Sequence, residues 1–370
     1  MTRIYAYIGI RQVTEMAAVG VGRVSLLAGA LFDVSCAMLV LAQADVERLL
    51  PMRDCIEIMA STLATLARGD AVLPLRTIIR IPQTGDAFGV MPAYLGAPKT
   101  IGAKIVTVFP GNHGTELDSH QGAVLLFDRD DGRLVALLDA TPITTIRTAA
   151  VSAVATRLLA RETASRLAII GSGVQARAHI EAMCAVRPIA SVRVWSRNSE
   201  HARWLAEFAR DRFHLEASVS PTGAEAVVDA DIVCTVTSST SPVLLGEWLS
   251  RGTHVNAVGA CTPNAQEIDA AVVVRSRLYV DRRESALKEP GDILVPLRDG
   301  EILPEHVVAE VGELLIGRGV ARRDDREITL FKSLGLAVED LAAAAYVYDR
   351  AEQTGAGVSV ELGGTRHASH

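Results

Sequence analysis

Three cations in apolar company are the residues of this 370-residue chain best suited to chemistry. Arg76 shares a strand face with Ile78. Lys104, in Ile101-Gly-Ala-Lys-Ile-Val-Thr-Val-Phe109, shares one with Val106 and Val108. Arg147 falls one helical turn from Ile143, on an apolar face that continues through Ile146, Ala150, Val154 and Leu158. Burying a cation costs several kcal/mol unless it is paired. An anionic ligand could be the partner, since arginine binds a carboxylate through a two-pronged fork and lysine acts as a point charge. The other reading is three separate ion pairs, solvated or structural.

A second chemical signature lies at Arg166-Leu-Ala-Ile-Ile-Gly-Ser-Gly-Val-Gln-Ala-Arg177. Residues 167–170 read as a buried strand that breaks at Gly171 and Gly173, and Val174, Gln175 and Ala176 open a helix. Gly171 permits a tight turn. Gly173 lets backbone N–H groups approach a pyrophosphate at the helix N-terminus, where the dipole favours negative charge. Ala176 keeps helix and strand close. The next strand, 192–195, ends in Trp195-Ser196-Arg197-Asn198, without the acid that would take the ribose hydroxyl of NAD. Arg197 suits a 2′-phosphate, so NADP(H) is the preferred cofactor and NAD(H) a possible one. A solvated arginine is the plainer alternative.

These residues need elements to hold them. A helix over 200–211 and short apolar strands over 230–236 and 254–258 follow the glycine turn. Alternating strands and helices argue for a doubly wound parallel sheet of Rossmann type. Ahead of it, an amphipathic helix spans 51–68, between Pro51 and Gly69. Five strand signals then fall at 76–81, 87–95, 100–109, 123–128 and 134–140, with Asp130-Asp131-Gly132 a strong hairpin turn. They suggest a separate domain around an antiparallel or mixed sheet. Thr141 caps and Pro142 opens a long helix to about residue 160 that carries Arg147. A strand over 326–334 and a helix over 336–352 return to the first domain and make it discontinuous.

The expected organisation is therefore α/β, a Rossmann-type domain over 161–334 plus a discontinuous α+β substrate and dimerisation domain over 38–160, completed by 335–357. Residues 1–37 form an extension of unassigned role, and 358–370 a loose tail rich in small polar residues. The apolar run 17–41 carries Arg23 and Asp33, which a spanning helix tolerates poorly, and no cleavage site follows it. With 49% hydrophobic and 22% charged residues the chain can build sizeable cores. A net charge of −6 gives no reason to expect nucleic acid or an anionic membrane as partner. Five cysteines, odd in number and without metal spacing, read as reduced thiols in a cytoplasmic protein with no metal site.

Several of these stretches together resemble the ornithine cyclodeaminase/mu-crystallin family. They are Arg76, Met91-Pro92-Ala93-Tyr94, Gly102-Ala103-Lys104, Phe109-Pro110-Gly111-Asn112, Ile146-Arg147-Thr148-Ala149-Ala150, Gly171-Ser-Gly-Val-Gln-Ala176, and Phe331-Lys-Ser-Leu-Gly335 with Val338-Glu339-Asp340. The resemblance runs in order over about residues 38–357. It implies homodimers and chemistry on small amino or imino acids, with Arg76, Lys104 and Arg147 holding the substrate carboxylate. It also implies a cofactor site drawn from four places. Ser119, His120, Arg147 and Thr148 come from the first domain, and Gly171, Gly173, Val174 and Gln175 from the glycine turn. Ser196, Arg197 and Asn198 follow the second strand, and Thr235, Thr237, Val258, Gly259 and Ser333 stand at later strand ends.

One departure sharpens the expected activity. Ornithine cyclodeaminases and archaeal alanine dehydrogenases carry an aspartate shortly after the glycine that follows Val258; here the stretch is Gly259-Ala260-Cys261-Thr262-Pro263, with Cys261 in that place. Deamination with cyclisation needs a base to move protons on the amine, and an unperturbed thiol serves poorly near neutral pH. Cys261 reads as a small buried hydrophobe. Family members without the aspartate resemble ketimine reductases. The implied activity is NAD(P)H-dependent reduction of cyclic ketimine carboxylates, such as Δ1-pyrroline-2-carboxylate or Δ1-piperideine-2-carboxylate, to cyclic amino acids. The rivals are an ornithine cyclodeaminase releasing proline and ammonia, an alanine dehydrogenase, and a non-enzymatic, crystallin-like protein that binds ligand in an NADP-dependent way.

Overall fold

The computed structural model describes residues 37–362 except His113, so the expected extension, apart from Ala37, which opens β1, and the last residues of the tail lie outside the described part. β1 (Ala37–Leu41) leads through α1 (Gln43–Leu49) and α2 (Met52–Arg68) to β2 (Ala71–Val72), β3 (Thr77–Arg80), β4 (Ala87–Gly96), β5 (Lys99–Val108), β6 (His120–Phe127) and β7 (Leu134–Asp139). Helix α3 (Ala140–Leu159) then carries the chain into β8 (Arg166–Ile170), α4 (Val174–Val186), β9 (Ser191–Trp195), α5 (Ser199–Phe213), β10 (Glu216–Val219), α6 (Gly223–Val227), β11 (Ile232–Thr235) and β12 (His254–Ala257). The rest is α7 (Ala270–Arg275), β13 (Ser276–Val280), α8 (Arg283–Ala286), α9 (Gly291–Arg298), β14 (Val307–Glu310), α10 (Val311–Leu315), β15 (Ile328–Lys332), α11 (Ala337–Thr354) and β16 (Val358–Glu361).

Two sheets result. The first runs β16-β1-β7-β6-β5-β4-β2, with β3 also on β4; β1 and β7 are parallel and its other pairs antiparallel, so it is mixed. The second runs β10-β9-β8-β11-β12-β15-β13-β14, every pair parallel, with a change of direction at β8. In such a sheet ligands bind beyond the C-terminal ends of the strands at the point where the order reverses, and the glycine turn follows β8 there.

Local chemistry accounts for the element ends. Gly69 takes the left-handed conformation, φ 86°, that closes α2. The β6–β7 hairpin turns where Asp130-Asp131-Gly132 stands: Asp128 accepts from the N–H groups of Asp130 and Asp131 at 2.8 and 3.1 Å, and Gly132 has φ 77°. Helix α3 has no polar face. It is covered by both halves of the chain, and its buried hydroxyls are satisfied across the boundary, Ser152 by His179 at 3.0 Å and Thr156 by Asn256 at 2.9 Å.

Two expectations are corrected. Asp139, not Thr141, caps α3: its carboxylate accepts from the Thr141 N–H at 2.8 Å, because the helix already begins at Ala140 and leaves Asp139 as the flanking residue. The tail is not loose throughout, since residues 358–361 form β16 and pair with β1, covering a strand edge that would otherwise present unpaired backbone groups. No helix among the described residues is long and apolar enough to cross a membrane.

Candidate active site

The three cations meet acids rather than solvent. Lys104 stands mid-way along β5, opposite Met91 of β4 and Val124 of β6, and Arg147 lies in the second turn of α3. Each is only 4% exposed. Facing them, Glu339 and Asp340 occupy the first turn of α11, fully buried. Arg147 Nε lies 2.8 Å from Asp340 Oδ1, and Nη1 lies 2.9 Å from Glu339 Oε2. Lys104 Nζ lies 2.7 Å from Asp340 Oδ2. Asp340 thus bridges the two cations. Arg76 stands apart, 2.9 Å from Glu289, and donates to the carbonyls of Leu334 and Gly335 at 2.9 and 3.0 Å. The ion-pair reading therefore describes all three cations, but two of the three pairs share one acid.

The turn before α11 positions the cluster. Asp281, at the end of β13, accepts from the N–H groups of Leu334 and Gly335 at 2.6 and 2.8 Å. Gly335 has φ 77°, and a Cβ there would lie 2.5 Å from Arg147 Nη1, so only glycine lets the guanidinium lie against the turn. Burial pulls the Lys104 ammonium down to about 8, against the opposing pull of Asp340. Burial pushes the Glu339 carboxyl up to about 7, with Arg147 opposing. Burial alone would raise Asp340, yet Arg147 and Lys104 hold it below the usual carboxylate range.

Glu339 and Asp340 were not singled out as site residues from the sequence. A signal existed: two adjacent acids interrupt an otherwise apolar helix, Leu336-Ala-Val-Glu-Asp-Leu-Ala-Ala-Ala-Ala345, and buried acids require cations.

The glycine turn forms an open cradle. Gly171 has φ 125°, and a Cβ on it would lie 2.8 Å from the carbonyl oxygen of Val236. Gly173 caps the 13-residue α4 without any side-chain hydrogen bond, and space is open where its Cβ would stand. The first N–H groups of α4 therefore lack side-chain partners, as a phosphate site needs. Val174 beside them is 62% exposed, and Gln175 keeps a buried Oε1 without a partner. Across the gap, Ser172 and Ser196 hydroxyls are 2.7 Å apart. Arg197 is exposed just past β9, and Asn198 caps α5, accepting from Glu200 and His201 at 3.0 and 3.1 Å. These features fit a dinucleotide.

The remaining expected residues divide. Ser119 and His120, 3.1 Å apart, enter β6. Thr148, midway along α3, and Val258 and Ser333, just past the ends of β12 and β15, are buried. Thr235 is fully buried, and its hydroxyl donates to Glu267 at 3.0 Å. Glu267 also accepts from the N–H groups of Thr237 and Gly259, both at 2.5 Å, and ties the ends of β11 and β12 together. A Cβ on Gly259 would lie 1.9 Å from the Thr237 carbonyl oxygen. Asp292 accepts from the N–H groups of Glu267 and Ile268 at 2.8 and 3.3 Å and pairs with the fully buried Lys332 at 2.9 Å. Cys261 borders this group; burial raises its thiol above the ordinary value, so it is neutral and a poor base.

The cradle and the cation cluster meet through α3: Gln175, in the first turn of α4, donates to the Thr144 carbonyl at 3.4 Å, three residues before Arg147. Known proteins resemble the chain over most of its length. The ornithine cyclodeaminase/mu-crystallin family matches residues 37–355. The mouse (Mus musculus) ketimine reductase mu-crystallin is 42% identical over 281 residues, 76% of this chain and 86% of its own. The structure of Thermococcus litoralis Δ1-pyrroline-2-carboxylate reductase, in complex with NADH and L-proline, is 38% identical with TM-score 0.86, covering 87% of this chain and all of that one. An archaeal alanine dehydrogenase dimer with bound NAD is 33% identical with TM-score 0.84, covering 88% and 99%.

Proposed function

The chain belongs to the ornithine cyclodeaminase/mu-crystallin family, and on that premise we propose that it is an NAD(P)H-dependent oxidoreductase that reduces cyclic ketimine carboxylates to cyclic amino acids. Δ1-pyrroline-2-carboxylate and Δ1-piperideine-2-carboxylate are the substrates the reading favours. The observation that carries it is the placement of Lys104 and Arg147, held by one bridging acid, next to the turn that leaves a Rossmann strand end.

The first N–H groups of α4, with Gly171 and Gly173, would hold the pyrophosphate. The reduced nicotinamide, when bound, supplies the hydride. Arg147, Lys104 and Arg76 orient the substrate by its carboxylate. Arg147 offers Nη2 beyond its two acid contacts, and Lys104 has donors left beyond Asp340. Such orientation brings the imine carbon to the hydride and removes much of the entropic part of the barrier. Arg197 would meet a 2′-phosphate, so NADPH is proposed as the better cofactor. A homodimer is proposed as well, since β3 is exposed along its length and Ile78, Ile79 and Ile101 add apolar surface.

Ornithine cyclisation and alanine oxidation are disfavoured by the neutral, half-buried thiol of Cys261, where those relatives carry an acid. A purely ligand-binding protein would bind the same compounds without turnover. NADPH oxidation followed with each ketimine, against ornithine and alanine with the oxidised cofactor, decides among them. Turnover of the ketimines alone is the expected result. Turnover of ornithine alone, or binding with no turnover, overturns the reading.

A further inference from the structure

The cluster at α11 has a charge balance that a substrate carboxylate would upset. Lys104 and Arg147 oppose Glu339 and Asp340, two charges of each sign, all at least nine-tenths buried. Asp340 has a cation on each oxygen. Glu339 does not: Oε2 faces Arg147 and the Leu336 N–H, whereas Oε1 is buried with no partner. An added anion on Arg147 and Lys104 would leave the site with one uncompensated negative charge in a low dielectric, which is costly. The acid that holds its cation by one oxygen is the one to give way.

We infer that Glu339 is a proton-accepting positioning residue, which takes up one proton as the substrate carboxylate binds and so restores the neutrality of the buried cluster. The inference rests on the carboxylate-binding role proposed above. When Arg147 shares its charge with the substrate, Glu339 loses attraction, and the new carboxylate repels its ionised form. A neutral Glu339 keeps an acceptor for the Leu336 N–H and presents an O–H, not a second negative charge, towards the ligand. The proton comes from solvent and returns when product leaves.

Groups from every side bear on Glu339. Arg147 of α3 favours its charge, while Asp281 at the end of β13 and Asp340 on its own helix oppose it. Cys55 of α2 feels Glu339 and, pushed far up by burial, is neutral. Lys104 of β5 reaches the group through Asp340, and it too would gain a proton above its own value near 8. Arg76 lies farther off, beyond Gly335. Glu339 begins near 7, so its uptake should appear just above neutrality and vanish below about pH 6, where the free protein already holds the proton.

Calorimetry in buffers of different ionisation enthalpy counts the protons. The probe is cyclopent-1-ene-1-carboxylate, a planar ring carboxylate with no basic nitrogen, titrated into the full chain with oxidised cofactor. At about pH 7.5 wild type should take up close to one proton, and affinity should weaken roughly tenfold per pH unit above neutrality. Glu339→Gln should bind with little uptake and a flattened pH profile. Lys104→Arg, which cannot lose its charge, should retain the uptake. A carboxyl C=O band appearing on binding in infrared difference spectra of wild type would show the same proton without a variant. Binding without uptake, or uptake lost in Lys104→Arg and kept in Glu339→Gln, overturns the inference and leaves the functional reading intact. Failure of the probe to bind overturns both.

Discussion

Two buried ion clusters lie within a few residues of one another along the chain and are built on opposite plans. At the ends of the parallel strands, Glu267 and Asp292 receive backbone N–H groups: Thr237 and Gly259 on the first, Glu267 and Ile268 on the second. Lys332 pairs with Asp292 from within the group. At α11, Glu339 and Asp340 face mainly side-chain cations, with one backbone N–H between them, from Leu336. Acids tied to the backbone hold strand ends in place, and exchanging their partners would loosen the sheet. Acids tied to flexible cationic side chains can share those cations with a ligand. The first cluster is a scaffold for the strand ends, and the second is the part proposed to meet substrate.

The sharpest break of this contrast is Asp292→Ala. It leaves Lys332 charged and unpaired in the core and two N–H groups without an acceptor, so stability should fall by about 3–5 kcal/mol in urea unfolding. A loss below about 1 kcal/mol would remove the scaffold role. Arg147→Lys should behave in the reverse way. The protein should fold and assemble but lose on the order of a hundredfold in kcat/KM, about 2.7 kcal/mol, because an ammonium cannot reproduce the fork. Near wild-type reduction of the ketimine would make Arg147 structural. Glu267→Gln sits between the two. An amide cannot accept at both oxygens from Thr235, Thr237 and Gly259, so about 2 kcal/mol of stability should go, with nucleotide KM rising more than ketimine KM. Equal rises in both would separate Glu267 from the cradle. The smallest effect is expected outside both clusters. Arg197→Ala should leave stability unchanged and reduce the NADPH-over-NADH ratio of kcat/KM roughly tenfold, about 1.4 kcal/mol, and an unchanged ratio would deny Arg197 that part.

Much of this could be read from residue types in short windows. The strand, glycine turn and helix at 167–176, the hairpin at Asp130-Asp131-Gly132 and the closure of α2 at Gly69 depend on neighbours in sequence, and each stands where the pattern places it. Lys104 and Arg147 were legible for the same reason, since alternation along a strand or helix reveals a buried charge; Arg76 was not, because it precedes β3, whose residues are all exposed, and shares no buried face with Ile78. The partners of Lys104 and Arg147 were not legible either. Lys104, Arg147 and Asp340 lie on three elements more than 40 residues apart, and nothing local says which acid a buried cation will meet. The same holds for β16 closing the edge of β1, and for Lys332 on Asp292. Propensity and periodicity are set by the nearest few residues. Charge pairing and sheet edges are settled only when distant segments share one low-dielectric interior, where every polar group must find a partner from whatever packing brings within reach.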